Sequence, residues 1–400
     1  MNRVSGRTLA GGICLCVLAI TLTAGLWPFH APSNHVGWLQ VENGLEFGGH
    51  GSAVSSGVFR GRDRTDTSGT LEIWLEPASS ESKSTILSFD ESAHPGEPFS
   101  LHQKGDALAI RRNNVDPQGI SRTALFFALG VFQAKKPVFV TVILNSRESL
   151  VYINGVLEEV FPQSMTWNDL TGRLVLTNSP MTNDSWPGKI FGLAIYQRQL
   201  TAAQIDADYG SWIASGKPVK AAEGGAAALY LFDERGGSVA HNNLDPATDL
   251  GIPAHYFVLH PGFMLAPWRE YHPTWSYWLD VGVNITGFIP FGFCICAYLL
   301  STRVTRYPGI ITIILGLATS FTIEFLQAFL PTRSSGTTDL MTNTLGTAIG
   351  VVICRSSIAQ QLFTKPVVAV AQKLSSSAIP DSRIVVSDLT TSSWGRKHLS

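Results

Sequence analysis

Apolar residues in this chain follow two patterns: unbroken runs near both ends and short alternations between them. The first run covers residues 8–27 and carries no charge. Its 20 residues suffice to cross about 30 Å of hydrocarbon. Three further runs cover about 279–300, 309–330 and 340–354. Arg3 and Arg7 precede the first run, Arg303 and Arg306 fill the turn between the second and third, and Arg355 follows the fourth. The positive-inside rule then predicts both termini and that turn in the cytoplasm, with the long middle region outside. Ala24-Gly25 offers small residues for signal cleavage, but Leu26-Trp27-Pro28-Phe29 closes the run as an interfacial anchor does, and retention is expected. Trp275, Tyr277 and Trp278 form a similar belt before the second run.

Between the runs, apolar and polar residues alternate with period two. Leu71-Glu72-Ile73-Trp74-Leu75-Glu76 does so, as do residues 138–144 and 150–153. Asn154-Gly155 follows, the strongest short hairpin signal in the chain. Such strands with regular turns predict an antiparallel sandwich. The expected organisation is multi-domain: an anchor over 1–34, an extracytoplasmic all-β sandwich over 35–250, an aromatic linker over 251–278, three transmembrane α-helices over 279–355, and a flexible cytoplasmic tail over 356–400 with a short amphipathic stretch at 358–374.

Composition removes several classes. A net charge of −1 supplies no basic face for nucleic acid. All five cysteines lie in or beside the apolar runs, so the middle region folds without disulfides. Cys14/Cys16 and Cys294/Cys296 are spaced C-x-C, which is not a zinc spacing. No metal and no cofactor is expected.

Polar residues inside the runs are the candidate chemistry. Glu324 lies in the third run, where a carboxylate costs about 2.5–3.5 kcal/mol on insertion scales and so marks function. Ser320 and Gln327 share its helix face. Asp339, Asn343, Gly346 and Gly350 form a stripe on the fourth run, and Asp280 with Asn284 a third pair. With the orientation above, these groups all lie in the outer half of the bilayer, Glu324 about 9 Å below its helix end. Arg333 breaks the positive-inside pattern, which suggests pairing with Glu324 or Asp339. Pro290 and Gly292 are expected to break the second helix and open a cavity there. The alternative to a pocket is a polar cluster that joins helices.

Residues 42–212 resemble the laminin-G-like, concanavalin-type jelly roll. The resemblance rests on Gly69-Thr70-Leu71-Glu72-Ile73-Trp74, Leu150-Val151-Tyr152-Ile153-Asn154-Gly155, Gly172-Arg173-Leu174-Val175-Leu176 and the block from Trp186-Pro187-Gly188 through Tyr196, followed by a helix start at Thr201. It implies binding of carbohydrate or protein, sometimes through calcium. Asn183, Asp184 and Asp169 are the candidate calcium ligands, but turn formation explains them better. Related glycosidases carry Glu-x-Asp-x-Glu; here Glu72 and Glu76 keep the outer positions and Trp74 replaces the middle aspartate, so hydrolysis is not expected.

The last three runs resemble the VanZ-like family. The residues that carry this are Asp280-x-x-x-Asn284 with Gly287-Phe288-Ile289-Pro290-Phe291-Gly292, then Ser320-x-x-Ile323-Glu324-x-x-Gln327 through Arg333, then Asp339-x-x-x-Asn343-x-x-Gly346-x-x-x-Gly350. The resemblance implies a bacterial envelope protein of the cytoplasmic membrane, and the family's founding member is linked to low-level teicoplanin resistance. The leading expectation is a non-enzymatic protein that recognises a glycan or glycan-lipid, with a link to glycopeptide tolerance or envelope polysaccharide. The alternatives are a membrane-embedded enzyme acting on a lipid-linked sugar through Glu324, and a structural protein–protein scaffold.

Overall fold

The alternating segments become strands and the apolar runs become helices in the computed structural model, which describes residues 2–61, 67–91, 97–115, 121–219, 225–271, 273–333 and 335–356. In chain order, α1 (Asn2–Leu26) leads into β1 (Val36–Trp38), β2 (Leu45–Phe47), β3 (Ala53–Ser55), β4 (Gly69–Pro77), β5 (Lys83–Asp90), β6 (Phe99–Lys104), β7 (Ala107–Val115) and β8 (Ser121–Ala128). Then come β9 (Val138–Leu144), β10 (Ser149–Ile153), β11 (Val156–Phe161), β12 (Arg173–Leu176), β13 (Gly188–Tyr196), α2 (Ala202–Ser215), β14 (Ala226–Tyr230), β15 (Val239–Ala240) and β16 (Leu250–Gly251). The last elements among the described residues are α3 (Pro267–Glu270), α4 (Trp275–Thr302), α5 (Pro308–Gln327) and α6 (Thr337–Arg355). The tail expected over 356–400, with its amphipathic stretch, lies outside the described residues apart from Ser356.

The strands form two antiparallel sheets, so the all-β sandwich expected from the alternation is present. One runs β1-β2-β13-β4-β9-β10-β11, with β14 also on β13; the other runs β15-β16-β3-β12-β5-β6-β7-β8. Leu71, Ile73 and Leu75 of β4 face Leu87 and Phe89 of β5 and Leu101 of β6 in one core. Each such side chain contributes roughly 1.5–3 kcal/mol on burial. The Asn154-Gly155 turn has both φ angles positive, at 50° and 82°, the geometry that matches strand twist in a two-residue hairpin.

The second face of the β4 sheet is covered too. Thr201 accepts the N–H of Gln204, while Gln204 accepts the N–H of Thr201, and this reciprocal cap starts α2. Trp212 of α2 packs there with Phe139, Ile143 and Tyr196. Gly192 is required beneath it, since any side chain would collide with the Trp212 ring.

The packed sandwich continues past residue 250. β16 spans that position, and Tyr256 is fully buried. The two chain segments that join sandwich to helices are tied together: Ser33 and His255 form an antiparallel bridge, and the Asn34 amide donates to the carbonyls of Ser52 and Pro253 at 2.9 Å each.

Among the described residues, three helical segments, Thr8–Leu26, Trp275–Thr302 and Pro308–Gln327, are long and apolar enough to cross a membrane. The described residues divide into two compact units. One holds the start of α1, Val283–Gly316 and α6 from Asn343 onward; the other holds Ala19–Gly282 and Leu317–Thr342. In the first, Gly346 and Gly350 lie against the backbone of Ile285 and Ile289, so α4 and α6 approach closely, as the small-residue spacing predicts. The break expected at Pro290 and Gly292 is absent. Pro290 lies inside an uninterrupted α4, and Gly292 is pressed against the backbone of Thr347.

Candidate functional site

Four unpaired N–H groups open any α-helix, and at α6 three consecutive amides find partners from elsewhere in the chain. Gly336, just before the helix, donates its N–H to Glu324 Oε2 at 2.9 Å. Thr337 donates to the Leu265 carbonyl at 3.0 Å. Thr338 donates its N–H to Glu270 Oε2 at 3.0 Å and its hydroxyl to the same oxygen. Asp339 lies in the first turn, and both it and Glu270 are within electrostatic reach of Glu324. The positive end of α6 thus gathers three carboxylates, the arrangement a helix dipole favours. Gly336 is the one residue that fits between two of them, since a side chain there would collide with Glu270 Oε1.

Gln327 and Arg333 serve a different helix end. Gln327 Nε2 donates to the Gly25 carbonyl at 2.7 Å. Arg333 Nε donates to the Trp27 carbonyl at 3.2 Å, and its second guanidinium nitrogen donates to the same oxygen. Gly25 lies in the last turn of α1 and Trp27 just past its end, where the dipole favours a cation. The pairing of Arg333 with Glu324 or Asp339 expected from its odd charge is therefore replaced by capping of α1.

The remaining sequence candidates are placed unevenly. Ser320 is fully buried one turn before Glu324, which is itself 1 % exposed. Asp280 is exposed on the first turns of α4. Asn284 and Asn343 fall in the other unit, Asn343 buried and Asn284 half-buried. Glu270 escaped the sequence reading because it lies outside the apolar runs. The available signal was an acid in Pro267-Trp268-Arg269-Glu270, next to the aromatic belt.

The sandwich has its own cleft. It measures about 490 Å³ and is lined by Val58, Phe59, Arg60, Gly61, Glu91, Asn168, Thr171 and Gly172. Phe59 and Gly172 form its floor through an antiparallel bridge with N–H···O distances of 2.7 and 2.8 Å. Gly172 sits at φ +102°, and a Cβ there would strike the Asp90 carbonyl, so this wall requires glycine. The Arg60 carbonyl is held by Trp167 Nε1 at 2.9 Å. Its volume falls within the usual 300–1,000 Å³ range of small-ligand sites, with a cation, a carboxylate, an amide and a hydroxyl at hand. Apart from Gly172, which opens one of the blocks that carry the jelly-roll resemblance, no sequence signal marked these residues.

Glu72 and Glu76 do not form a catalytic pair. Glu76 pairs with Lys189 at 3.1 Å. Glu72 is fully buried beneath α2. Burial first, and then the Asp208 charge, push its carboxyl up to about 8, while hydrogen bonds from Trp212 and Tyr196 oppose the shift. Both donors stand 3.4 Å from Oε2. The three residues weighed as calcium ligands are engaged in other bonds. Asp184 accepts the Thr85 hydroxyl at 2.7 Å, Asn183 accepts the Tyr256 hydroxyl at 2.8 Å, and Asp169 pairs with Arg112 at 2.8 Å.

Two family models match the chain, one from within the last strands of the sandwich onward and one over the sandwich itself. Residues 233–360 match the VanZ/LLP1 family model. Residues 48–206 match the model of the Concanavalin A-like lectin/glucanases superfamily. Similar solved structures include a Bacteroides ovatus protein whose description proposes carbohydrate binding, at 12 % identity and TM-score 0.38, covering 53 % of this chain and 58 % of that one. The receptor binding domain of botulinum neurotoxin D is similar at 14 % identity and TM-score 0.34, with coverage of 48 % and 51 %. The binding domain of Paraclostridial Mosquitocidal Protein 1 follows at 11 % and 0.33, with coverage of 46 % and 48 %. The chain thus spans little more than half of each of these structures at most. All three TM-scores lie below 0.5, so the fold assignment rests on the sheets themselves and the two family models. No curated protein matches the chain.

Proposed function

We propose that this chain, a concanavalin-like sandwich joined to a VanZ-like helical region, is an envelope membrane protein that recognises a glycan or the sugar part of a glycan-lipid at the outer membrane surface. The observation that carries this reading is the cleft of about 490 Å³ on the sandwich. Arg60, Glu91, Asn168 and Thr171 offer donors and acceptors to ring hydroxyls, and exposed Val58 offers an apolar contact to a sugar face. The family resemblance of the sandwich to carbohydrate-binding domains supports the same ligand class. The exposed aromatics Trp27, Trp268, Trp275 and Trp278 flank the helix ends of the same unit and suit a headgroup layer. Recognition would then occur close to the lipid surface, where the carboxylates at the α6 start also lie. A role in glycopeptide tolerance or envelope polysaccharide is a finer expectation of the same reading.

The test is saccharide binding by the full-length protein in detergent, screened over envelope glycans by calorimetry or glycan array. Asn168→Ala and Arg60→Ala, each removing one polar group from the cleft, should weaken binding by about tenfold, equivalent to roughly 1.4 kcal/mol. Absence of binding by the wild-type chain to every envelope glycan would overturn the reading. Binding that both variants leave unchanged would move the site away from this cleft.

A further inference from the structure

We propose that Glu270 is a positioning residue of the membrane-side site, through which the packed sandwich sets the N–H that Glu324 receives. The proposal rests on reading Glu324 as part of a functional site. It adds a residue outside the transmembrane helices and assigns the segment from Tyr256 to Glu270 as the connection.

The connection starts in the sandwich. Tyr256 is fully buried and donates its hydroxyl to Asn183 Oδ1 at 2.8 Å and its N–H to the Pro32 carbonyl at 3.0 Å. Four residues on, His260 donates its N–H to the Pro180 carbonyl at 2.8 Å, and its Nε2 meets buried Asp90 Oδ2 at 2.9 Å. Asp90 precedes Glu91 of the cleft and pairs in register with Arg173, the residue after Gly172. The strap next runs beside the turn before α6. Leu265 and Gly336 form a parallel bridge, and the Thr337 hydroxyl donates to the Leu265 carbonyl at 2.7 Å. It ends on Glu270, whose Oε2 takes two donors from Thr338 and whose Oε1 abuts the Cα of Gly336.

Gly336 is thus held from two sides. Glu324 takes its N–H, and Glu270 with Leu265 fixes the backbone that aims it. Glycine has the widest backbone freedom of any residue, so the direction of this N–H depends on its neighbours rather than on its own torsions. A carboxylate hydrogen bond is sensitive to such aim, since it weakens steeply as the donor angle falls. Displacing the strap at His260 would therefore misalign the Gly336 amide without touching either carboxylate.

Hydrogen–deuterium exchange on the full-length protein in lipid nanodiscs tests this, read on peptides covering 335–340. Glu270→Ala should speed exchange there by about tenfold or more, and Glu270→Gln, which keeps an acceptor oxygen, should recover most of the protection. His260→Ala should speed the same peptides by at least about threefold, although His260 bonds to none of those residues. Peptides from the middle of α4 serve as the reference and should stay unchanged. Three outcomes overturn the proposal: unchanged exchange in Glu270→Ala, no recovery in Glu270→Gln, or an unresponsive 335–340 region in His260→Ala. The experiment uses no saccharide, so failure of glycan binding would leave its result intact and sink only the earlier reading.

Discussion

Glu324 and Gly336 meet across the turn between α5 and α6, carboxylate oxygen to backbone N–H, at 2.9 Å. The carboxylate therefore answers a helix N-terminus, while Arg333 answers the carbonyl end of α1. Because the two groups hold different partners, their effects should be largely independent. Glu324→Leu should cost about 1–3 kcal/mol by leaving the Gly336 N–H unmet, and Glu324→Gln less. Combined with Arg333→Gln, the losses should add within about 0.5 kcal/mol. Thermal midpoints of the purified variants and the double mutant check this. A large coupling would restore the single shared cluster that the sequence suggested.

Gly25 sets how closely α1 approaches α5. A Cβ there would stand 2.9 Å from Ile323 Cγ2, and Ile323 is itself buried. Gly25→Val should destabilise by about 1–3 kcal/mol through overpacking. Ile323→Ala placed in the same chain should recover part of that loss. Melting curves of the two single variants and the pair would decide it, and no recovery would mean that the contact does not set the helix spacing.

Glu72 makes a signed prediction about pH. Its carboxyl titrates near 4.5 when free and about 8 when folded. The folded state therefore holds a proton that the unfolded chain has released, and this stabilisation is full below about 4.5 and lost as pH rises toward 8. Asp208, also raised by burial, acts in the same sense. His102 acts oppositely, because burial lowers it from 6.5 to about 3, so stability tied to it grows up to 6.5 and then levels. Between pH 6.5 and 8 the wild type should thus lose stability at up to about 1.4 kcal/mol per pH unit. Glu72→Gln should flatten that slope. Parallel slopes for the two proteins would show that Glu72 is not the titrating group.

The arginines at 3, 7, 303, 306 and 355 make the expected topology testable. A reporter that works only after export, fused after Lys104, should be active, because the sandwich is expected outside. Activity instead from a cytoplasm-only reporter at the same position would reverse the arrangement. Intact-mass measurement of the purified chain should also find α1 retained.

The sequence was most legible where local rules act. Period two located β4, β9 and β10, and positive φ at Asn154-Gly155 followed from residue type. Thr201 announced α2. Burial of Glu324 could be read from its place in an apolar run. What escaped depends on distant partners. Alternation put Glu72 on one face of β4 but could not show that α2, about 130 residues later, covers that face. Arg333 found a backbone carbonyl, and carbonyls leave no mark in a sequence. Glu270 reads as an ordinary surface acid until α6 is seen to begin beside it. Pro290 signals a kink by residue type, yet α4 continues through it.

The bridge between Ser33 and His255 closes the sandwich's entry and exit segments into a single doorway. A domain hung on one loose linker of n residues sweeps a volume set by about 5–6 Å × √n. Two segments fastened together narrow that sweep. If the cleft binds a glycan as proposed, that ligand would meet a sandwich whose two connecting segments move together. Selectivity for ligands would then depend on where in the envelope they are displayed as much as on their chemistry.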